Sequence, residues 1–182
     1  MIDLDKFLKK AEKNLNDSFR HLEEGPTALA QELVELKLQA CIFQYDICAE
    51  MVGIVRNQPK GFAASVALKG LVLRLFEYDQ VLNKRLLPRL LSLAKVRGIP
   101  IDSSTIKSLR KDWKAELTAL QAWHDVRNQA AGHYGQDLQK QVELLKTLDL
   151  DGVMTVVKGF LSFNMGLLKY LRDTGCGQSE SA

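Results

Sequence analysis

The stretch Trp123-His124-Asp125-Val126-Arg127-Asn128-Gln129-Ala130-Ala131-Gly132-His133-Tyr134-Gly135 decides how this chain is read. It gathers an arginine, an asparagine, two histidines and a tyrosine around two glycines. His124, Arg127 and Asn128 stand at i, i+3 and i+4, so a helix places all three on one side. Upstream, Ile106, Leu109, Trp113, Leu117 and Leu120 recur every three or four residues, and the same steps continue onto His124, Arg127 and Ala131. The spacing predicts one amphipathic helix over 103–131 whose apolar stripe becomes polar at its far end. A charge on a buried face costs several kcal/mol unless it is paired, so polar groups turned inward at that point need a reason. His133 lies six residues past Arg127 and would face roughly 240° away on an unbroken helix. Gly132 and Gly135 supply left-handed exits. The helix is therefore expected to stop near Ala131, with His133 folding back beside Arg127.

Composition bounds what surrounds this stretch. A chain of 182 residues with 46% hydrophobic residues and 4 prolines suits one domain with a sizeable core, here 1–174, followed by a small polar tail at 175–182. The net charge of +3 is too mild for a general nucleic-acid coat, so any RNA contact must rest on local charge. Cys41, Cys48 and Cys176 follow no metal-ligand spacing, and Cys41 and Cys48, one heptad apart, read as core thiols. No secretory leader opens the sequence, and no uncharged run reaches the roughly 18 residues a membrane span needs. The expectation is a cytoplasmic protein without membrane association, without cofactor and without metal.

The rest of the chain reads as helix after helix, an all-α fold. Helices are predicted near 2–22, 27–57, 60–80, 88–97, 103–131, 136–147 and 150–172. The first carries the stripe Leu4, Phe7, Ala11, Leu15, Phe19 and Leu22, with His21 at its C-terminal end, where the helix dipole favours a cation. Gly25-Pro26 breaks the chain and Thr27 can cap the second helix. Pro59 and Gly61 stop that helix. The third is apolar almost all round; one face carries Ala63, Ala67, Gly70, Arg74 and Glu77, with Asp79 beyond. Arg74 and Glu77 read either as a self-satisfied i,i+3 pair or as supports that orient the Arg127/His133 centre. Pro88 suits the first turn of a short helix, and Asp102-Ser103-Ser104 caps the helix bearing the motif. Lys84, Arg85, Arg89, Lys95 and Arg97 make 81–97 the most basic segment, followed by Lys107, Arg110, Lys111 and Lys114. These read as a solvated face, and a basic rim near the motif would also attract phosphates. Leu138, Val142 and Leu145 mark a short helix, and Asp149 or Asp151 starts the last one.

Arg127-Asn128-Gln129-Ala130-Ala131-Gly132-His133, an arginine, an asparagine and a histidine after five intervening residues, resembles the signature of the HEPN ribonucleases. The likeness extends over roughly 60–170 as a helical pattern similar to the abortive-infection branch, with the polar turn Arg74-Leu75-Phe76-Glu77-Tyr78-Asp79 in the preceding long helix. It implies an up-and-down HEPN-type bundle with additional helices, a homodimer whose motifs face one cleft, an RNA substrate, and a defence or toxin–antitoxin setting with an antitoxin protein as partner. Arg127, Asn128 and His133 would be catalytic, with His124, Tyr134, Arg74, Glu77 and Asp79 as possible supports. Tyr134 directly follows the histidine, whereas toxins of this kind silenced by nucleotidyl transfer carry a tyrosine two residues after it.

RNA brings its own nucleophile, the 2′-hydroxyl beside each phosphate. Cleavage needs a base for that proton, an acid for the leaving 5′-oxygen, and positive charge on the phosphate. Histidine can be acid or base at neutral pH, and arginine's planar fork matches phosphate oxygens. Asn128 can donate to phosphate or fix the His133 ring. A second proton carrier is also required: either His124, or His133 of a second chain, as the resemblance implies. Three other readings compete. One is a purely structural cluster with Arg127 buried against Glu77 or Asp79. Another is a non-catalytic HEPN-like binding module. The third is a metal site of His124, Asp125 and His133, which lacks regular ligand spacing.

Overall fold

The structure, a computed structural model, describes residues 4–131 and 137–176. Every regular element among them is helical: α1 Leu4–Glu23, α2 Ala28–Asn57, α3 Phe62–Val81, α4 Leu87–Arg97, α5 Ser103–Lys111, α6 Lys114–Ala119, α7 Leu138–Lys146 and α8 Leu150–Cys176. The all-α expectation holds. α8 continues through Cys176, past the point where the tail was expected to begin.

α1 and α2 form an antiparallel hairpin, and α3 and α8 also pack against α2. Ala30–Asn57 of α2 is long and apolar enough to cross a membrane by length and composition, and in this fold α1, α3 and α8 line its sides. The centre is filled by Phe160, Phe163 and Leu167 of α8 against Leu68, Leu71 and Leu75 of α3 and Leu36 and Ile47 of α2. A polar pin crosses this core. The buried Asn164 donates from Nδ2 to the Ala40 carbonyl at 2.9 Å and accepts from the Tyr78 hydroxyl at 2.5 Å. Tyr78 in turn stacks on Phe43, with ring centroids 3.5 Å apart. One side chain thereby ties α2, α3 and α8 in register, and burial pushes the Tyr78 phenol pKa far up.

Local signals account for most boundaries. Asp102 caps α5, accepting from the Thr105 N–H at 2.8 Å, and Asp137 caps α7 through the Lys140 N–H at 2.9 Å. Asp149 accepts from the Gly152 N–H at 2.7 Å where α8 begins. Thr27 stands at the N-cap of α2, but only its carbonyl is used, by Ala30 and Gln31, and its side chain caps nothing. Two predicted stripes are corrected. On α1 the buried positions are Ala11 and Ser18, and Phe19 is half exposed, because Ser18 Oγ meets Cys41 Sγ of α2 at 3.3 Å. On α7 Leu145 is buried as predicted, but Leu138 is 69% exposed and Gln141 faces inward.

The predicted gap between the third and fourth helices is absent. Leu82–Leu86 forms a π-helical segment that joins α3 to α4 without a turn, and Leu87 N–H donates to the Leu82 carbonyl, five residues back. Pro88 explains it. Proline has no N–H to give Lys84 and its ring clashes with that carbonyl in an α-helix, and a wider turn relieves both. Leu82 and Leu86 remain fully buried, so the wide turn is held by core packing. The close approach of α6 to α8 depends on Gly159, where a Cβ would collide with the Cβ and Cγ of Glu116.

Candidate functional site

The single helix predicted over 103–131 is a series of shorter pieces. α5 ends at Lys111, with Asp112 as its C-cap, and Trp113 leaves helical geometry (φ −123°, ψ 17°) before α6 begins. A 3-10 turn over Leu120–Trp123 comes next, and Val126–Ala131 is a second π-helical segment. This rewinding changes which residues face the core. A 3-10 turn repeats every three residues, so the inward register runs Leu120, Trp123, Val126 and then Ala130, not Leu120, His124 and Arg127. Leu120, Val126 and Ala130 are buried; Arg127 is half-buried, and His124 and Asn128 are exposed. The expectation that the motif turns its polar groups inward is thus overturned by one residue of phase.

What this produces is a connected polar surface. Arg127 Nη1 donates to Asn128 Oδ1 at 2.7 Å. Asn128 Nδ2 lies 3.1 Å from each ring nitrogen of His124 and donates to whichever is unprotonated. Asp125 Oδ1 is 3.6 Å from His124 Nδ1. Phe76 of α3 meets the His124 ring edge to face at 6.5 Å. Below this surface, Val126–Ala131 packs on α3 and α7, where the buried Gln141 donates from Nε2 to the Ala130 carbonyl at 3.1 Å. A glutamine on the apolar side of a short helix, between Leu138 and Leu145, was the signal for this anchor.

Arg127, Asn128 and His124 therefore come together as predicted from their spacing. His133 and Tyr134 lie outside the described residues, and so does the fold-back proposed for His133. The supports expected from α3 go elsewhere. Arg74 binds the Glu50 carboxylate and approaches Asp46 at 3.5 Å, both on α2. Gly70 leaves the space into which Glu50 reaches. Two residues along a helix is a rotation of about 200°, so Arg74 points away from Phe76 and from His124. Glu77 shares the α2-facing groove with Arg74. Neither orients Arg127, and the predicted Arg74–Glu77 pair gives way to the ion pairs with α2. Asp79 accepts from Asn83 Nδ2 at 2.8 Å; burial raises its carboxyl pKa, opposed by that bond and by the charge of Arg110. Arg110 in turn donates to Asn83 and lies 5.8 Å over the Phe163 ring. The structural reading in which Arg127 is buried against Glu77 or Asp79 fails, since Arg127 binds Asn128.

Among the described residues no three His, Cys, Asp or Glu side chains converge as metal ligands. The Cys41 and Cys48 thiols are buried in the core, and burial raises both pKa values, that of Cys48 to about 11. Comparisons with protein-family models, with curated proteins and with solved structures find no match to this chain.

Proposed function

We propose that this chain is an endoribonuclease of the HEPN type that cleaves RNA by internal transesterification. The observation that carries the reading is the solvent-facing chain Arg127–Asn128–His124, in which an arginine fork and an imidazole are held together by one amide on a π-helical segment. π-helical turns occur disproportionately at functional sites, and no proline accounts for this one. The Arg127 guanidinium would bind the scissile phosphate through the donors not given to Asn128. His124 and His133 would divide the proton transfers: one takes the 2′-hydroxyl proton as that oxygen attacks phosphorus, and the other protonates the departing 5′-oxygen. The products are a 2′,3′-cyclic phosphate and a 5′-hydroxyl. Lys84 and Arg85 of the first π-helical segment, Lys107 and Lys111 of α5 and Lys114 of α6 are exposed and have no ion-pair partner among the described residues, which supports attraction of phosphates. A homodimer sharing the motif cleft, an antitoxin partner and a cytoplasmic, defence-related role belong to the same proposal through the resemblance of Arg127-Asn128…His133.

The test is cleavage of single-stranded RNA in EDTA, with the matching DNA as control. RNA is cut and DNA is not, because only RNA has the 2′-hydroxyl. His133→Ala and Arg127→Ala each lower the rate by about 10²–10⁴-fold. Specific activity that rises with protein concentration assigns the second proton carrier to a dimer; activity independent of concentration, and lost in His124→Ala, assigns it to His124. No cleavage of any RNA by the wild type leaves a binding module in its place.

A further inference from the structure

Away from the motif, α1, α2 and α8 enclose a cleft of about 340 Å³ with an unusual charge balance. Six basic side chains line it: Lys10, Arg20 and His21 from α1, Lys37 from α2, and Lys169 and Arg172 from α8. Among the described residues the one carboxylate lining it is Asp17, and it is already occupied by Lys13 at 2.6 Å and Arg20 at 3.0 Å. The Lys13 hydrogen bond holds the Asp17 carboxyl below its ordinary range, so it stays charged and bound to its cations. Lys10, Lys37 and Lys169 have no ion-pair partner among the described residues. Arg56 of α2, by contrast, is neutralised by Asp5 at 2.6 Å.

Its remaining walls are of two kinds. Gln44, which is 3% exposed, and Asn14 form a polar floor, with Asn14 Nδ2 donating to Gln44 Oε1 at 3.4 Å. Met165, Leu168 and Cys41 make an apolar side. Like charges gathered in a concavity with low-dielectric walls repel one another and concentrate anions. A ligand relieving that repulsion must carry more than one negative charge, and the volume admits a molecule of mononucleotide size, not a folded chain. The apolar side suits a flat ring.

We propose that this cleft binds a nucleotide, its phosphates among Lys10, Lys37 and Lys169 and its base on Met165 and Leu168. The proposal is independent of the ribonuclease reading. Calorimetric titration of the purified full chain, at about 0.15 M salt so that unspecific charge attraction is screened, compares ATP, inorganic triphosphate and adenosine. ATP should bind one site per chain about tenfold tighter than triphosphate and about a hundredfold tighter than adenosine, steps of one and two decades in the dissociation constant. Lys169→Glu, a surface change on α8, should weaken ATP about tenfold or more, while Lys146→Glu on α7 should leave it unchanged. Arg127→Ala should bind ATP normally even where RNA cleavage is lost. Equal binding of triphosphate and ATP removes the base from the site and overturns the nucleotide assignment. Absence of saturable binding by both, or an unaltered Lys169→Glu, overturns the site itself.

Discussion

Two wide helical turns in this molecule look alike and are held in place by different things. Leu82–Leu86 sits in the middle of a long helical run, with Leu82 and Leu86 fully buried and Pro88 just behind it. Val126–Ala131 sits at the end of a run already broken at Trp113 and rewound at Leu120–Trp123. It carries no proline, and buries Val126 and Ala130 while presenting Arg127 and Asn128 outward. The first turn is a backbone solution to a missing N–H. The second costs regular hydrogen bonding without a comparable local cause, and what it provides is an outward-facing row of His124, Asn128 and Arg127. Irregular geometry answers a packing constraint in one region, and in the other it positions polar side chains.

Substitutions should separate the two. The largest effect on stability is expected at Leu86→Ala, where removing a fully buried side chain should cost about 2–5 kcal/mol, read as a lower urea midpoint with an unchanged slope. A cost under 1 kcal/mol would mean that the first turn is not locked by the core. Asn128→Ala should do the reverse. Its exposed side chain should change stability by no more than about 0.5 kcal/mol. RNA cleavage should fall about tenfold or more, because the amide linking Arg127 to His124 is gone. Full activity in that variant would reduce the row to a surface coincidence. Native-state hydrogen exchange offers a gentler comparison: amides of 126–131 should exchange faster than those of 82–86, since fewer buried contacts hold them. Equal protection would erase the distinction.

The smallest effect concerns the α5 cap, upstream of the second run. Hydrogen bonds from Ser104 and Thr105 lower the Asp102 pKa from an ordinary 3.8 to about 2. A carboxylate with a depressed folded pKa stabilises fully above the unfolded value, and that contribution is lost as pH falls from about 4 towards about 2. Asp102→Asn keeps a capping side chain but cannot titrate, so acid unfolding of the variant should show a shallower decline over that window. An identical acid limb would show that the cap does not report on folding of α5.

Much of the fold was legible because helices announce themselves locally. Asp102 and Asp149 cap where short polar side chains precede amphipathic runs, and Pro59 ends α2 where sterics forbid continuation. The pairing of α1 with α2 is set by Gly25-Pro26 between two apolar stripes. The polar pin at Asn164 was not legible, because a lone asparagine in an apolar helix gains meaning only when Tyr78 and the Ala40 carbonyl arrive from 86 and 124 residues away.

The candidate site divides along the same line. By itself the sequence determined that His124, Arg127 and Asn128 share one side of a helical segment, since spacing in a helix is a property of the backbone. It could not determine which way that side faces. A 3-10 turn and a π turn each alter the rotation per residue only slightly, and whether they form depends on how Leu120, Val126 and Ala130 fit against α3 and α7. Likewise, Arg74 needs an anionic partner because it carries its charge on an apolar helix. That the partners are Glu50 and Asp46, and not the motif, was decided by the azimuth of α3 against α2. Local chemistry sets which residues travel together, and tertiary packing sets what they meet.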